Sequence, residues 1–309
     1  MTNKLNNSKQ YPLVSIITPA YNRADLIEKT ILSVLDQSYT NIEYIVIDDG
    51  SKDNTLEIIK KHEDKLLLLT QENIGETKTV NKGLKMAKGE IIGIINSDDP
   101  LLPDAVTTVV EEFMNNPDII VLYPDWQMID LEGNIIKYIR TFDYNYENML
   151  RWQHCVPGPG TFFKRSVVDE LKGRDDNFTY VADFDFWLRA GLLGRFKRIP
   201  KIIATFRVHP GSASVSSKGL VIAKERIKLI NKTYSSPYLP PHLQRLKRES
   251  FSSAYYIAGC LTGSSHPLFK ISYFLKAFFY CPHKYFAEYK KRLIVIMWQI
   301  LDLFLRPKK

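Results

Sequence analysis

The sequence has 309 residues, 45% of them hydrophobic and 25% charged, a balance that excludes a disordered polymer and allows one large domain with an appendage. The net charge of +8 is unevenly placed: residues 216–309 carry 17 Lys and Arg against four Asp and Glu, or +13, which leaves −5 for residues 1–215. The polar stretch Met1 to Gln10 has no apolar core of a secretory signal, and residues 1–12 are expected to be extended or disordered. Leu13–Thr18 then reads as a first strand stopped by Pro19, and Asp25 with Glu28 as a capping box for a helix with Ile27, Ile31, Val34 and Leu35 on one face. Tyr44–Ile47 is a second strand that runs into Asp48-Asp49-Gly50-Ser51, with Asp53 or Asn54 capping the helix that follows. Leu66–Leu69 is a third strand, Asn73-Ile74-Gly75 a loop, and the next helix places Val80, Leu84 and Ala87 together before stopping at Gly89. The fourth strand, within Gly89–Ile95, ends in Asn96-Ser97-Asp98-Asp99-Pro100. This βαβαβαβ array predicts an α/β fold with a mostly parallel sheet flanked by helices, and right-handed crossovers would set Pro19, Asp49, Asn73 and Asp98 along one sheet edge.

Pro103 suits the start of a helix bearing Val106, Val109, Val110 and Phe113. Ile119–Tyr123 reads as a strand, and Trp126–Ile129 with Ile135–Ile139 as a hairpin around Glu132-Gly133-Asn134. Pro157-Gly158-Pro159-Gly160 is a loop, Ser166–Leu171 a short helix, Val181–Arg189 the opening of another, and Phe206–Ser212 a polar loop. The adjacent acids Asp98 and Asp99 repel each other unless a cation or ligand hydroxyls neutralise them, although Asp-Pro turns carry such pairs too.

Taken in order, Thr18-Pro19-Ala20-Tyr21-Asn22, Asp48-Asp49-Gly50-Ser51, Asn73-Ile74-Gly75, Asn96-Ser97-Asp98-Asp99, Asp183-Phe184-Asp185-Phe186-Trp187-Leu188-Arg189 and Arg207-Val208-His209 resemble the inverting glycosyltransferases of family 2. The resemblance covers residues 13 to about 215 and implies a GT-A fold, divided into a nucleotide-sugar-binding half, 13–124, and an acceptor-binding half, 125–215. It implies that a divalent ion, Mn2+ or Mg2+, sits on Asp98, with His209 completing its shell, and that Asn96 stands where the pattern has Asp. Asp49 would accept the N–H of the base, uracil, with Thr18, Pro19 and Tyr21 shaping the base pocket and Asn73 beside it. Asp99 would face a donor hydroxyl, and Arg207 would neutralise phosphate charge while the loop through Ser212 and Ser214 closes. Asp183 would be the general base that takes the proton of the acceptor hydroxyl. Read from the residues alone, Asp49 and Asp183 also suit helix caps, and His209 suits a packing role.

The partners so implied are a nucleotide-sugar donor and a saccharide or lipid-linked acceptor, in synthesis of a surface polysaccharide or glycolipid. An inactive sugar-nucleotide-binding scaffold and a nucleotidyltransferase are the alternatives. No G-x-G-x-x-G follows the first strand, against a dinucleotide oxidoreductase. Residues 216–309 form a basic, amphipathic helical extension after a linker over Tyr234–Leu243, with a final apolar run Leu293–Leu305 of about 13 residues, short of the roughly 17 to 25 that span a bilayer. Cations interleaved with aromatic residues there favour an anionic membrane surface over nucleic acid, and a helical hairpin or a homodimer interface is the other reading. With three scattered cysteines, Cys155, Cys260 and Cys281, the expected place is the reducing cytoplasm, peripheral to the inner face of the membrane.

Overall fold

The computed structural model describes residues 11–209, 218–263 and 266–282. They divide into two units, one built from Met1–Tyr144, Val156–Ala182 and Arg189–His209, the other from Asn145–Cys155, Asp183–Leu188 and Pro210–Lys309. Each unit is therefore discontinuous in sequence.

In the first unit, β1 (Val14–Ala20) pairs in parallel with β2 (Ile42–Asp48) and β4 (Ile91–Ile94), and β2 pairs in parallel with β3 (Leu67–Thr70). All seven β1 residues are buried, as a strand covered on both faces requires. Pro19 does not stop β1. The Ile17 C=O accepts from Ile95 N–H on the β4 side and the Ala20 C=O from Asp49 N–H on the β2 side. Pro19 therefore faces the side where β4 has already ended, and its missing N–H costs no ladder bond.

Helices α1 (Ile27–Leu35), α2 (Thr55–Lys60), α3 (Glu76–Met86) and α4 (Ala105–Asn115) connect these strands and extend the core, with Ile27, Ile31, Val34, Val106, Val109, Val110 and Phe113 buried as the spacing predicts. The expected Asp25/Glu28 capping box is absent: Leu26 holds the N-cap position of α1 without a side-chain cap, and the Arg23 C=O accepts from the Leu26 and Ile27 N–H groups. Asp53 rather than Asn54 serves α2, accepting from Thr55 N–H at 3.1 Å. Gly89 is not the stop of α3, which ends at Met86; a Cβ there would lie 2.4 Å from the Ser15 nitrogen, so glycine permits the chain to pass close to β1.

Beyond β4 the sheet continues through β7 (Phe162–Lys164), antiparallel to both β4 and β5 (Ile119–Ile129), to the order β3-β2-β1-β4-β7-β5-β6. The hairpin of β5 with β6 (Ile135–Ile139) forms as expected, Trp126 opposite Ile139. Helix α6 (Arg165–Leu171) follows β7. Strand β8 (Arg195–Arg207) runs parallel to β5, with register shifts at Ile119/Val121 and around Asp125. Phe206 and Arg207 thus end a strand and are not part of a loop, and because β8 runs with β1–β4 its carboxyl end lies on their edge of the sheet.

The second unit is helical: α5 (Tyr146–Trp152), the Asp183–Leu188 part of α7 (Ala182–Ala190), α8 (Gly219–Ser235), a 3-10 turn (Pro241–Leu246), α9 (Lys247–Leu261) and α10 (Pro267–Tyr280). α5 joins it through Ser253 Oγ, which donates to the Arg151 C=O at 2.7 Å, and through Arg245 on Glu147 at 2.6 Å. The expected linker is packed instead: Tyr234 ends α8 with its hydroxyl 2.7 Å from Ser250 Oγ, and Leu239 and Leu243 are buried. Phe274 and Ala277 of α10 are buried with Tyr255 and Tyr256 of α9 against them. No helix among the described residues is long and apolar enough to cross a membrane. The N-terminal stretch to Gln10, the segment with Ser212 and Ser214, and the runs Lys290–Trp298 and Leu293–Leu305 lie outside the described residues.

Candidate active site

The carboxyl ends of β1, β2, β3, β4 and β8 bring residues far apart in sequence to one edge. Ligands of open α/β sheets bind along such an edge. The Asn96–Leu102 turn after β4 is clamped on two sides. Thr30 Oγ1 of α1 donates to the Ser97 C=O at 3.1 Å, and Thr205 Oγ1 of β8 to the Pro100 C=O at 2.7 Å. Within it Asp98 is the half-open acid. Its Oδ2 lies 2.9 Å from His209 Nε2 and 3.5 Å from Arg23 Nε, with 15% of the side chain exposed. His209 is buried at the end of β8. Arg23 was not marked by the sequence reading, though a cation just past the first strand was the available signal.

Asp99 faces inward. Its Oδ1 accepts from the Arg207 N–H at 2.7 Å and its Oδ2 from Asn96 Nδ2 at 2.9 Å. Burial first, and the Asp98 charge second, push the Asp99 carboxyl up to about 7 against the opposing pull of the Arg207 and Asn96 donors. Both Asp99 oxygens are thus bonded within the chain, which differs from a carboxylate turned toward a donor hydroxyl. Asn96 is exposed.

Arg207 also departs from its expected place. Only 2% exposed, it donates through Nε to the Asp98 C=O at 3.0 Å, and through Nη1 to the Asp130 and Leu131 C=O groups at 2.7 and 2.8 Å. These bonds tie the backbone of the Asp98 turn to the β5–β6 turn.

Asp49, 2% exposed, accepts from Gln71 Nε2 at 2.8 Å, Ile74 N–H at 2.9 Å and Gly75 N–H at 2.9 Å. It holds the Asn73-Ile74-Gly75 loop in place, and three of a carboxylate's four or so acceptor positions are filled. Gln71 extends the arrangement by accepting from Lys82 Nζ at 2.8 Å. Asn73 and Tyr21 are exposed beside this loop's edge of the sheet, and Tyr21 is 43% exposed. Thr18 is fully buried, with its Oγ1 3.2 Å from the Tyr44 hydroxyl in the core, and Pro19 is buried with it.

The structure therefore gathers Asn96, Asp98, Asp99, Arg207 and His209 around one turn and Asp49 with Asn73 around another. Asp183 belongs to the second unit, exposed in the first turn of α7, where its Oδ1 accepts from Phe184 N–H at 2.7 Å. Among the described residues no group of three or more His, Cys, Asp or Glu side chains converges as a metal centre.

The sequence matches the family described as Glycosyl transferase family 2 over residues 15–172, just over half of the chain. The chain belongs to glycosyl transferase family 2. Similar proteins include the chondroitin synthase of Escherichia coli, 32% identical over 232 residues, and the hyaluronan synthase of Pasteurella multocida, 29% identical over 215 residues. The aligned parts are 74% and 68% of this chain but 33% and 22% of those longer proteins. Among solved structures, S. aureus TarS superposes with a TM-score of 0.66 at 17% identity, covering 94% of this chain and 53% of that one. The mannosyltransferase PcManGT from Pyrobaculum calidifontis, solved with GDP-Man and Mn2+, gives 0.59 at 17% identity, with 96% and 88% covered. The chain accordingly has the GT-A fold. The matched family region stops at residue 172, short of Asp183, Arg207 and His209.

Proposed function

We propose that this chain transfers a sugar from a nucleotide sugar, a UDP sugar, to an acceptor hydroxyl with inversion of the anomeric centre, in a metal-dependent reaction. The observation that carries the reading is the half-open Asp98 carboxylate, set 2.9 Å from His209 at the sheet edge where the β-strands end. A carboxylate and an imidazole side by side suit an Mn2+ or Mg2+ ion. When bound, such an ion supplies Lewis-acid charge for the departing diphosphate. Asp98 and His209 would hold it, Arg207 fixes the Asp98 backbone, and Arg23 adds positive charge beside the same carboxylate. Tyr21 and Asn73 are the exposed contacts for base and ribose, above a loop that Asp49 keeps in shape. Asp183 has one oxygen on its own helix, which leaves the other to accept the acceptor's proton. TarS 1–349 solved with UDP-GlcNAc supports the UDP donor, and PcManGT solved with Mn2+ supports the metal.

The acceptor in this reading is a saccharide or lipid-linked glycan of a surface polysaccharide, and the basic residues of 216–309 attach the chain to an anionic membrane from the cytoplasmic side. A thermal-shift panel of UDP-GlcNAc, UDP-glucose, UDP-glucuronate and GDP-mannose, with and without Mn2+, tests the donor. A Mn2+-dependent rise with a UDP sugar that Asp98→Asn lacks is expected; equal shifts with and without metal in both proteins refute the site.

A further inference from the structure

Within the first unit, one face of α3 and the segment after α6 line a cleft of about 530 Å³. Five cations border it: Lys78, Lys82 and Lys85 from α3, and Lys172 and Arg174 from the segment that leads toward α7. The spacing of 78, 82 and 85 sets the three lysines on one helix face, over about 10 Å of its axis. Lys78, Lys85 and Lys172 are exposed and have no acidic partner among the described residues. Lys82 Nζ donates to Gln71 Oε1 at 2.8 Å, and Gln71 donates to Asp49, which joins the cleft to the loop that Asp49 holds. Ile74 of that loop, 45% exposed, also lines the cleft. Side-chain bonds fix the wall opposite α3. Asn81 bonds both the C=O and the N–H of Arg174 at 2.8 Å, and at Gly173, with φ at +105°, a Cβ would lie 2.5 Å from Asn81 Oδ1. Thr77 Oγ1 donates to the Phe178 C=O at 2.9 Å. The Arg174 side chain is 11% exposed, with Nη1 3.6 Å from Glu76 Oε1, and its Nε is buried without a hydrogen-bond partner among the described residues.

Cations gathered around one cleft repel each other, and a guanidinium with a buried N–H left over costs desolvation, unless an anion enters between them. The cleft also has two acids, Asp175 and Asp176. Asp175 serves its own turn, accepting from Asn177 N–H at 2.9 Å, whereas Asp176 is exposed, with Oδ1 accepting from Asn81 Nδ2 at 2.6 Å. A carboxylate has about four acceptor positions, so Asp176 can take hydroxyl donors as well. Acceptors among the cations disfavour a continuous phosphate backbone and suit a ligand with hydroxyl groups beside its negative ones. We infer that the cleft binds an acidic saccharide, a short run of sugar rings with negative groups spaced along it. The lysines of α3 meet those groups in succession, Asp176 takes hydroxyls, and Ile74 offers an apolar surface to a ring. The inference rests on the proposed function for its class of ligand, the saccharide acceptor. It makes that acceptor or the growing product anionic, held in a cleft whose lining shares no residue with the Asp98 turn.

Calorimetric titration of the full chain, without nucleotide sugar or Mn2+, reads the cleft apart from the Asp98 site. The probes are tetragalacturonate as the acidic saccharide, maltotetraose as a neutral counterpart, and tripolyphosphate as an anion without sugar. Lys85→Glu with Lys172→Glu reverses one cation on each wall, and Lys60→Glu with Lys61→Glu makes the same change of charge at the end of α2, outside the cleft. Tetragalacturonate is expected to bind the wild type and the α2 pair alike, and to bind the cleft pair about tenfold or more weakly at an unchanged melting temperature. Maltotetraose is expected not to bind. Should the cleft pair melt lower, Lys85→Gln with Lys172→Gln, which only removes the charges, gives the same comparison. No binding of tetragalacturonate to the wild type overturns the inference, and so does equal weakening in the cleft and α2 pairs, the mark of general attraction. Tripolyphosphate binding as tight as tetragalacturonate, with the same dependence on Lys85 and Lys172, overturns the saccharide assignment. A failure in these titrations leaves the Asp98 reading standing, whereas a wild type that binds tetragalacturonate but shows no Mn2+-dependent response to a nucleotide sugar refutes that reading alone.

Discussion

Replacing Arg207 by methionine distinguishes a guanidinium that builds the site from one that binds phosphate. The side chain is 2% exposed and, among the described residues, makes three hydrogen bonds, at 2.7 to 3.0 Å, to the carbonyls of Asp98, Asp130 and Leu131. Hydrogen bonds from a charged donor contribute about 1.5–3 kcal/mol each, so losing all three costs about 4–9 kcal/mol before relaxation. The β5–β6 turn is exposed around Leu131, and water can reach its carbonyls once it opens, which favours the lower end, about 4 kcal/mol. For a domain of this size that lowers the melting temperature by about 8–16 °C. Arg207→Lys, whose ammonium is a point donor without the planar fork, recovers part of the loss. Thermal melting followed by circular dichroism, paired with calorimetric titration of the donor, measures both sides. A melting temperature held to within about 2 °C of the wild type, together with lost donor affinity, would refute the reasoning and return Arg207 to the phosphate.

Three further outcomes are expected. Asp183→Asn lowers turnover by about 10²- to 10⁴-fold while calorimetry finds unchanged donor affinity, as loss of a general base requires. Burial alone would raise the Asp125 carboxyl, but the Arg198 guanidinium and the Thr141 donors prevail and hold it below the usual carboxylate range. Its contribution to stability is therefore complete above the unfolded value of about 3.9 and lost as pH falls through the folded one, so urea midpoints decline with acid more steeply in the wild type than in Arg198→Met. In Gly93→Ala the new Cβ would lie 2.4 Å from Phe162 Cε1, which costs about 1–3 kcal/mol. A double-mutant cycle with Phe162→Leu reads that clash as a coupling energy, and strictly additive effects would deny it.

The first four strands were readable because each is a short apolar run that gives way to polar or turn-forming residues, and the buried α1 and α4 faces followed from helical spacing. The same reading placed Asp98 at a strand end. It missed β8, since Lys197, Arg198, Pro200 and Lys201 break the pattern of a buried strand. Partners distant in sequence supply what the local pattern lacks: Arg198 binds Asp125 at 2.6 Å and Lys197 binds Glu112 at 2.8 Å. With β8 unseen, the end of that strand could not be joined to the Asp98 turn by geometry, and Arg207 was expected in a polar loop, neutralising phosphate charge. The burial of Thr18 was hidden for a related reason. Its neighbours Pro19 and Tyr21 belong to the strand end, but the alternation of β1 turns Thr18 to the Tyr44 hydroxyl inside the core.

The central claim, that Asp98 seats a divalent ion for a nucleotide sugar, is tested most directly by calorimetric titration of the panel's best donor with and without Mn2+, on the wild type and on Asp98→Asn. The account predicts that Mn2+ tightens binding at least about tenfold in the wild type, or 1.4 kcal/mol, and that Asp98→Asn loses this increment while keeping the metal-free affinity. Equal affinity with and without Mn2+ in the wild type, or an undiminished increment in Asp98→Asn, would contradict it.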